Sequence, residues 1–253
     1  MPFRVKAFGL HLLGSICVLT LVLGGLYLGW YRWPGWYLSG VARVLIIVGI
    51  VDVALGPTLT LIIANPRKNQ RALARDIAII VILQIAALGY GAATLWQGRP
   101  LYYTFSAGSL DLVQASDINA KEATLGLKLK PELAPRWYSL PRWVYAPLPD
   151  NPEEAAKIVN SVVLGNGDDV IAMPRYFQPW DQGLPKLRQK LVPLAELKYF
   201  SKPEQEILKA RMATLGVSAE GKNALVMWGG VGRRLLAVFD PESLKVRALI
   251  KPD

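Results

Sequence analysis

An aspartate stands inside an apolar run, Gly49-Ile50-Val51-Asp52-Val53-Ala54-Leu55-Gly56-Pro57-Thr58-Leu59-Thr60-Leu61. If the run crosses a bilayer, the acid costs about 2.5–3.5 kcal/mol on insertion scales and has to face a partner inside the bundle. Two kinds of chemistry are then open. The carboxyl can hydrogen-bond Gln84 or Tyr90, which helical rise places on either side of its depth, and so fix helix packing. Alternatively it can recognise a polar group on another protein's membrane helix. Pro57 lacks an N–H and should open the ladder around Val53, and Gly56 lowers the cost of a bend there. Thr58 and Thr60 can re-satisfy the freed carbonyls. Small residues at Gly49, Ala54 and Gly56 leave a surface that another helix can approach closely. Asp52, Gly56, Pro57 and Gln84 are therefore the candidate intramembrane interaction residues.

Other reactive residue types are sparse. The one histidine, His11, is placed about 10 Å nearer the chain's starting side of the membrane by rise alone, and reads as a structural hydrogen-bonder. Residues 98–253 contain neither histidine nor cysteine, so Ser-His-Asp and Cys-His catalysis is excluded there. Asp168-Asp169, beside Gly165-Asn166-Gly167, reads as an exposed turn rather than a cation seat. Gly229-Gly230-Val231-Gly232 lacks the Lys-Ser of a phosphate cradle and reads as a hairpin turn. Lys186, Arg188, Lys190 and Lys198 are balanced by acids with no nucleic-acid motif around them, which makes a solvated helix face. No catalytic, cofactor or metal site is assigned, and no nucleic-acid partner.

The elements that must position Asp52 are three apolar stretches, residues 7–31, 41–64 and 77–96. Each is long enough to cross the about 30 Å of hydrocarbon that about 20 helical residues span. Lys and Arg outnumber Asp and Glu by eight to two up to residue 97, and by twenty-one to seventeen beyond it. The segment Asn65-Pro66-Arg67-Lys68-Asn69-Gln70-Arg71-Ala72-Leu73-Ala74-Arg75 holds four of those cations. Cytoplasmic loops collect Lys and Arg, so the N-terminus is expected in the cytoplasm and everything after the third span outside it. Trp30, Tyr31, Trp33, Trp36, Tyr37 and Trp96 then share the outer interface. A cleaved signal peptide is the competing reading of the first 30 residues, but the run is too long and no small-x-small site follows. The only cysteine, Cys17, lies in the first span.

These features divide the chain into a three-helix transmembrane domain, residues 1–97, and an exported domain, residues 98–253. The second part is expected to be α+β, helices on an antiparallel sheet. Residues 101–105 and 110–114 flank the hairpin turn Ser106-Ala107-Gly108-Ser109. A proline-rich stretch then leaves room only for short extended pieces such as residues 142–146. Helices are expected at 151–164, opened by Asn151-Pro152-Glu153-Glu154 and closed by Gly165, at 183–191, and from Ser201 to Gly216. Ile207, Leu208, Met212 and Leu215 form the core stripe of the last. A three-strand meander at residues 224–228, 234–239 and 244–250 ends the chain.

The basic start with residues 8–13, the segment from Val51 to Leu61, and Arg99-Pro100-Leu101-Tyr102 after the third span resemble the TfpX/TfpZ family of type IV pilin accessory proteins. The likeness is strongest over residues 1–120. Residues 176–197, with Gln178-Pro179 and Leu184-Pro185, are similar more loosely. The resemblance implies an inner-membrane protein with a periplasmic domain that assists type IV pilus assembly, with the major pilin as partner, acting as a chaperone-like non-enzyme. The alternative from the residues themselves is a membrane-anchored envelope enzyme using Asp168, Asp169, Asp181 or Asp240 as a carboxylate pair. A ligand sensor would need a larger cytoplasmic portion than these loops supply.

Overall fold

The computed structural model describes residues 3–65, 67–136, 138–165 and 168–253. Pro66 of the basic loop and Asn166 and Gly167 of the expected turn lie outside the described residues. The chain forms two compact units: Met1–Tyr31 with Val41–Gly98, and Arg32–Gly40 with Arg99–Asp253. Residues 32–40, which a division at residue 97 assigns to the membrane part, thus belong to the second unit.

Among the described residues, the first unit has three helices long and apolar enough to cross a membrane, α1 (Phe3–Gly29), α2 (Ala42–Ile63) and α3 (Gln70–Gln97). Leu10, Leu21, Ile62, Ile82 and Ile85 are all exposed, a distribution that suits a hydrocarbon solvent and not water. Asn69 caps α3 by accepting from the Arg71 N–H at 3.1 Å, which starts the helix seven residues before its apolar stretch. Trp30 and Trp96 pack edge to face at 5.0 Å, and the Tyr31 hydroxyl donates to the Leu95 carbonyl at 2.7 Å.

Within α2 the effect expected of Pro57 takes a definite form. Residues Ile50–Leu55 make a π-helical turn in which the Gly56 N–H reaches back five residues to the Val51 carbonyl. Widening the ladder makes room where the proline ring would press on the carbonyl four residues before it. The ladder is re-spaced, not broken.

The second unit is α+β. Among the described residues, seven strands run in the order β4-β3-β1-β2-β5-β6-β7: β1 (Pro100–Ser106), β2 (Ser109–Gln114), β3 (Arg142–Tyr145), β4 (Gln178–Pro179), β5 (Ala224–Trp228), β6 (Arg234–Phe239) and β7 (Val246–Ile250). The expected β1–β2 hairpin turns on Ala107 and Gly108, both at positive φ, and the β5–β6–β7 meander is antiparallel throughout. However, β1–β3 and β2–β5 pair in parallel, so the sheet is mixed and not antiparallel. Both parallel pairs are separated by long connections with helices in them, the arrangement that parallel neighbours need.

The longer helices of the unit, among the described residues, are α4 (Ala120–Leu129), α5 (Pro152–Val163), α6 (Trp180–Lys190) and α7 (Lys202–Thr214). The first has no counterpart in the sequence expectations, although Asn119 caps it and Glu122 follows three residues on. Asn151 caps α5 through the Glu153 and Glu154 N–H groups, and Ser201 and Glu204 form a capping box on α7. The core stripe of α7 is narrower than expected. Leu208 and Met212 are fully buried, whereas Ile207 and Leu215 are largely exposed.

The central strands are buried on both faces and read as unbroken apolar runs. Leu225, Met227, Leu235, Ala237 and Phe239 join Phe105, Leu110 and Leu187 of α6 in one cluster; Val226, Leu236 and Val238 meet Leu208 and Met212 in the other. Tyr37 and Leu38, from a one-turn helix Gly35–Leu38, lie in the first cluster. Lys251 lies over the rings of Trp33, Trp36 and Tyr37, with its ammonium 4.6 Å from the Tyr37 centroid. The aromatics expected together at one interface are therefore divided between the two units.

Candidate functional site

A chain of polar groups crosses the interior of the three-helix unit. The Gln84 amide nitrogen donates to the backbone carbonyl of Asp52 at 2.9 Å and reaches the Ser15 hydroxyl at 3.4 Å. Its carbonyl oxygen accepts from His11 Nε2 at 2.7 Å. His11 Nδ1 lies 2.6 Å from the Thr60 hydroxyl, which donates to it when Nε2 carries the proton. All three helices are tied by this one relay.

Asp52, Gly56 and Gln84 meet at this relay, while Pro57 is buried on α2 without a bond in it. Gln84 meets Asp52 through the aspartate's main chain; the carboxyl bonds neither Gln84 nor Tyr90, and Tyr90 is 78% exposed. Gly56 and Pro57 are buried, and Gly56 lies directly under the Gln84 amide, where a Cβ would overlap its atoms. The close approach that Gly56 allows is taken by this chain's own third span. Thr60 serves His11 and not a carbonyl freed by the proline, and Thr58 is exposed. His11 meets Thr60, two helical turns past Asp52 along α2, which agrees with a place nearer the chain's starting side; the long Gln84 side chain links the two levels.

The Asp52 carboxyl is the unusual member. The residue is 5% exposed, and its Oδ2 is buried without a hydrogen-bond partner among the described residues. It lines a cavity of about 290 Å³ with His11, Gly14, Ser15 and Val18 of α1 and Val81, Gln84 and Leu88 of α3.

Three of the four carboxylates considered for an enzyme are used locally. Asp168 accepts from the Asn119 amide, and Asp169 caps a short turn through the Ile171 N–H. Asp240 accepts from the Glu242 and Ser243 N–H groups in the β6–β7 turn, and the Ser243 backbone bond holds its pKa low. Asp181 is exposed in the first turn of α6. Among the described residues, no group of three or more His, Cys, Asp and Glu side chains gathers as a metal site would need.

A different carboxylate in the second unit is perturbed. Burial pushes Asp111, on β2, up to about 6; the Ser109 hydroxyl, donating at 2.8 Å, opposes the rise and the Asp169 charge adds to it. Since its ordinary value is 3.8, the folded state holds a proton that the unfolded state has released between about pH 4 and 6. Stability from this group is therefore lost as pH rises through that window, and the cost is complete above it. Replacing Asp111 by Asn should raise the stability of the full-length protein in detergent at pH 7.5 by on the order of 1 kcal/mol, discounted for partial hydration. At pH 3.5 the variant and the parent should match. An equal gain at both pH values in chemical unfolding would show that titration is not the cause.

The comparisons with known proteins point one way. Over 214 residues the chain is 27% identical to the fimbrial assembly protein, serogroup I, of Dichelobacter nodosus, covering 82% of this chain and 80% of that one. The serogroup E1 protein of the same organism is 26% identical with the same coverage. The protein of serogroups C1 and C2 is 30% identical over 116 residues, 46% of this chain and 88% of its own length. No family model matches the chain, and no solved structure matches it. With nearly nine tenths of a 30%-identical relative covered, the chain belongs to the family of fimbrial assembly proteins.

Proposed function

We propose that the protein is an inner-membrane accessory factor of type IV pilus assembly, of the TfpX/TfpZ kind, which holds or presents the pilin subunit and is not an enzyme. The observation that carries this reading is the similarity to two fimbrial assembly proteins over four fifths of their length, which takes in both units of the chain. The basic loop from Arg67 to Arg75 supports a cytoplasmic N-terminus and, with three spans, a periplasmic second unit. A pilin waiting in the membrane has an apolar helix in lipid and a folded head outside. This chain offers a surface to each, and engaging both would raise the effective concentration of the second contact.

Deleting the gene should lower sheared-pilus yield while total pilin stays at its parental amount. A complementing copy with alkaline phosphatase joined after Ile250 should restore pili and be enzymatically active, as the enzyme is only when exported. Unchanged surface piliation in the deletion strain would refute the assignment, and restored pili with an inactive phosphatase would refute the topology.

A further inference from the structure

The Asp52 cavity is incomplete as this chain builds it. Its walls are apolar side chains of α1 and α3, among them Val18, Val81 and Leu88; Asp52 lines it too, and the carboxyl Oδ2 of that residue is buried with no donor among the described residues. The other polar groups of the lining, His11 and Gln84, are already engaged with each other, and Ser15 lies beside the Gln84 amide. An unmet acceptor in a hydrocarbon surround is costly, and it is met most cheaply by a donor that arrives on an apolar support. Carboxyl groups keep an acceptor oxygen whether or not they are protonated, so a donor satisfies Asp52 in either state.

The size of the cavity narrows the occupant. At about 290 Å³ it falls just under the range of about 300–1,000 Å³ that small-molecule sites occupy, and it suits one or two side chains of a helix lying against α1 and α3. The wall on α1 includes Gly14 and Ser15, whose small side chains let a second backbone come near. Nothing lies within 4 Å of a Cβ built on Gly14, so this approach is open. A lipid acyl chain would fill the walls and leave the carboxyl oxygen unmet.

We propose that the cavity docks a membrane-spanning helix of the pilin subunit, through a hydrogen-bond donor of that helix that the Asp52 carboxyl turns to meet. This rests on the pilin-handling reading above. His11, Thr60 and Gln84 act as positioning residues, holding the Asp52 main chain while its side chain stays available.

The test is photo-crosslinking in living cells with full-length protein. A diazirine-bearing residue replaces Val18 at the cavity rim, and a control places it at Ile62, exposed on α2 and outside the cavity. Irradiation should join the Val18 position to the membrane helix of the major pilin, located by peptide mapping, with background yield from Ile62. Asp52→Leu should lower that yield about fivefold to tenfold at equal protein amount, the range that one intramembrane hydrogen bond of 1 kcal/mol or slightly more gives. Asp52→Asn keeps an acceptor and should retain most of it. Gly14→Leu fills the cavity without touching Asp52 and improves helix propensity, so its equal loss of yield decides the matter if Asp52→Leu fails to accumulate.

Crosslinks only to lipid, or only to a second copy of this chain, would overturn the inference, as would a pilin yield indifferent to both Asp52→Leu and Gly14→Leu. If pilin is captured from positions in the second unit but never from Val18, and the deletion strain lacks pili, the cavity inference falls while the pilin-handling function stands. Normal piliation in the deletion strain removes both.

Discussion

Residues 99–253 produced alone will not fold to the structure they have in the full chain. Their core is short of Trp36, Tyr37 and Leu38, which the chain supplies from between its first two spans. Leu38 is fully buried among Tyr103, Phe105, Leu110, Met227 and Leu235. Gly229 leaves room for its backbone, since a Cβ there would overlap the Leu38 carbonyl and side chain. Removing one buried leucine side chain alone costs about 2–5 kcal/mol. Taking away the whole segment also opens the cluster it shares with Tyr103 and Leu112, a loss comparable with the about 5–15 kcal/mol that holds an ordinary domain together. Arg233 and Lys251, now stacked on Tyr37, would lose their ring partner as well.

The remedy follows from the geometry. Lys251 touches the segment's aromatic rings, so Arg32–Gly40 joined after Asp253 by a short Gly-Ser linker has little distance to cover. The grafted domain should unfold cooperatively in urea and show a near-ultraviolet circular dichroism signal; the bare fragment should show neither. In the full-length protein, Leu38→Ala should lower stability by about 2–5 kcal/mol. If the bare fragment unfolds cooperatively at the midpoint of the graft, the nine residues are not part of its core. Any attempt to rescue pili with the soluble half has to use the grafted form.

Trp36 and Tyr37, next to an apolar span, read as part of an interfacial belt; that their rings also pack into the second unit's core could not be read from their neighbours in sequence. The spans themselves were legible because about 20 apolar residues in a row have few other uses. The hairpin at Ala107-Gly108, the meander and the caps at Asn151 and Ser201 were legible too, since each depends on neighbours in sequence. Helix α4 carried the same kind of signal in Asn119 and Glu122 and could have been found. The parallel pairings could not, because strands separated by tens of residues meet by packing and not by local preference. In the membrane unit, Asp52 and Gln84 were legible as polar residues needing partners. That Gln84 takes the aspartate's carbonyl and leaves its carboxyl free depends on the π-helical turn and on how the helices cross.

Placing alanine at Gly56 should destabilise the three-helix unit by about 2 kcal/mol, more than its gain in helix propensity of about 1 kcal/mol returns. The new methyl would occupy the space of the Gln84 amide. That amide sits at the end of a flexible side chain and can swing away, so the clash itself is relieved at small cost. What is lost is the relay: Gln84 leaves the Asp52 carbonyl, Ser15 and His11 together, and His11 Nε2 is left inside the bundle without its acceptor. Unsatisfied buried groups of this kind cost about 1–3 kcal/mol each, and less where the helices can relax. The mechanism makes a sharper claim than the size of the loss. Gln84→Ala breaks the same bonds by itself and also clears the space, so Gly56→Ala added to it should do no further harm and should recover some propensity. In a double-mutant cycle on the full-length protein in detergent, the two changes should be strongly non-additive, with the double variant at least as stable as Gln84→Ala alone. Additive losses would show that Gly56 matters for some neighbour other than Gln84, and would separate the glycine from the polar relay.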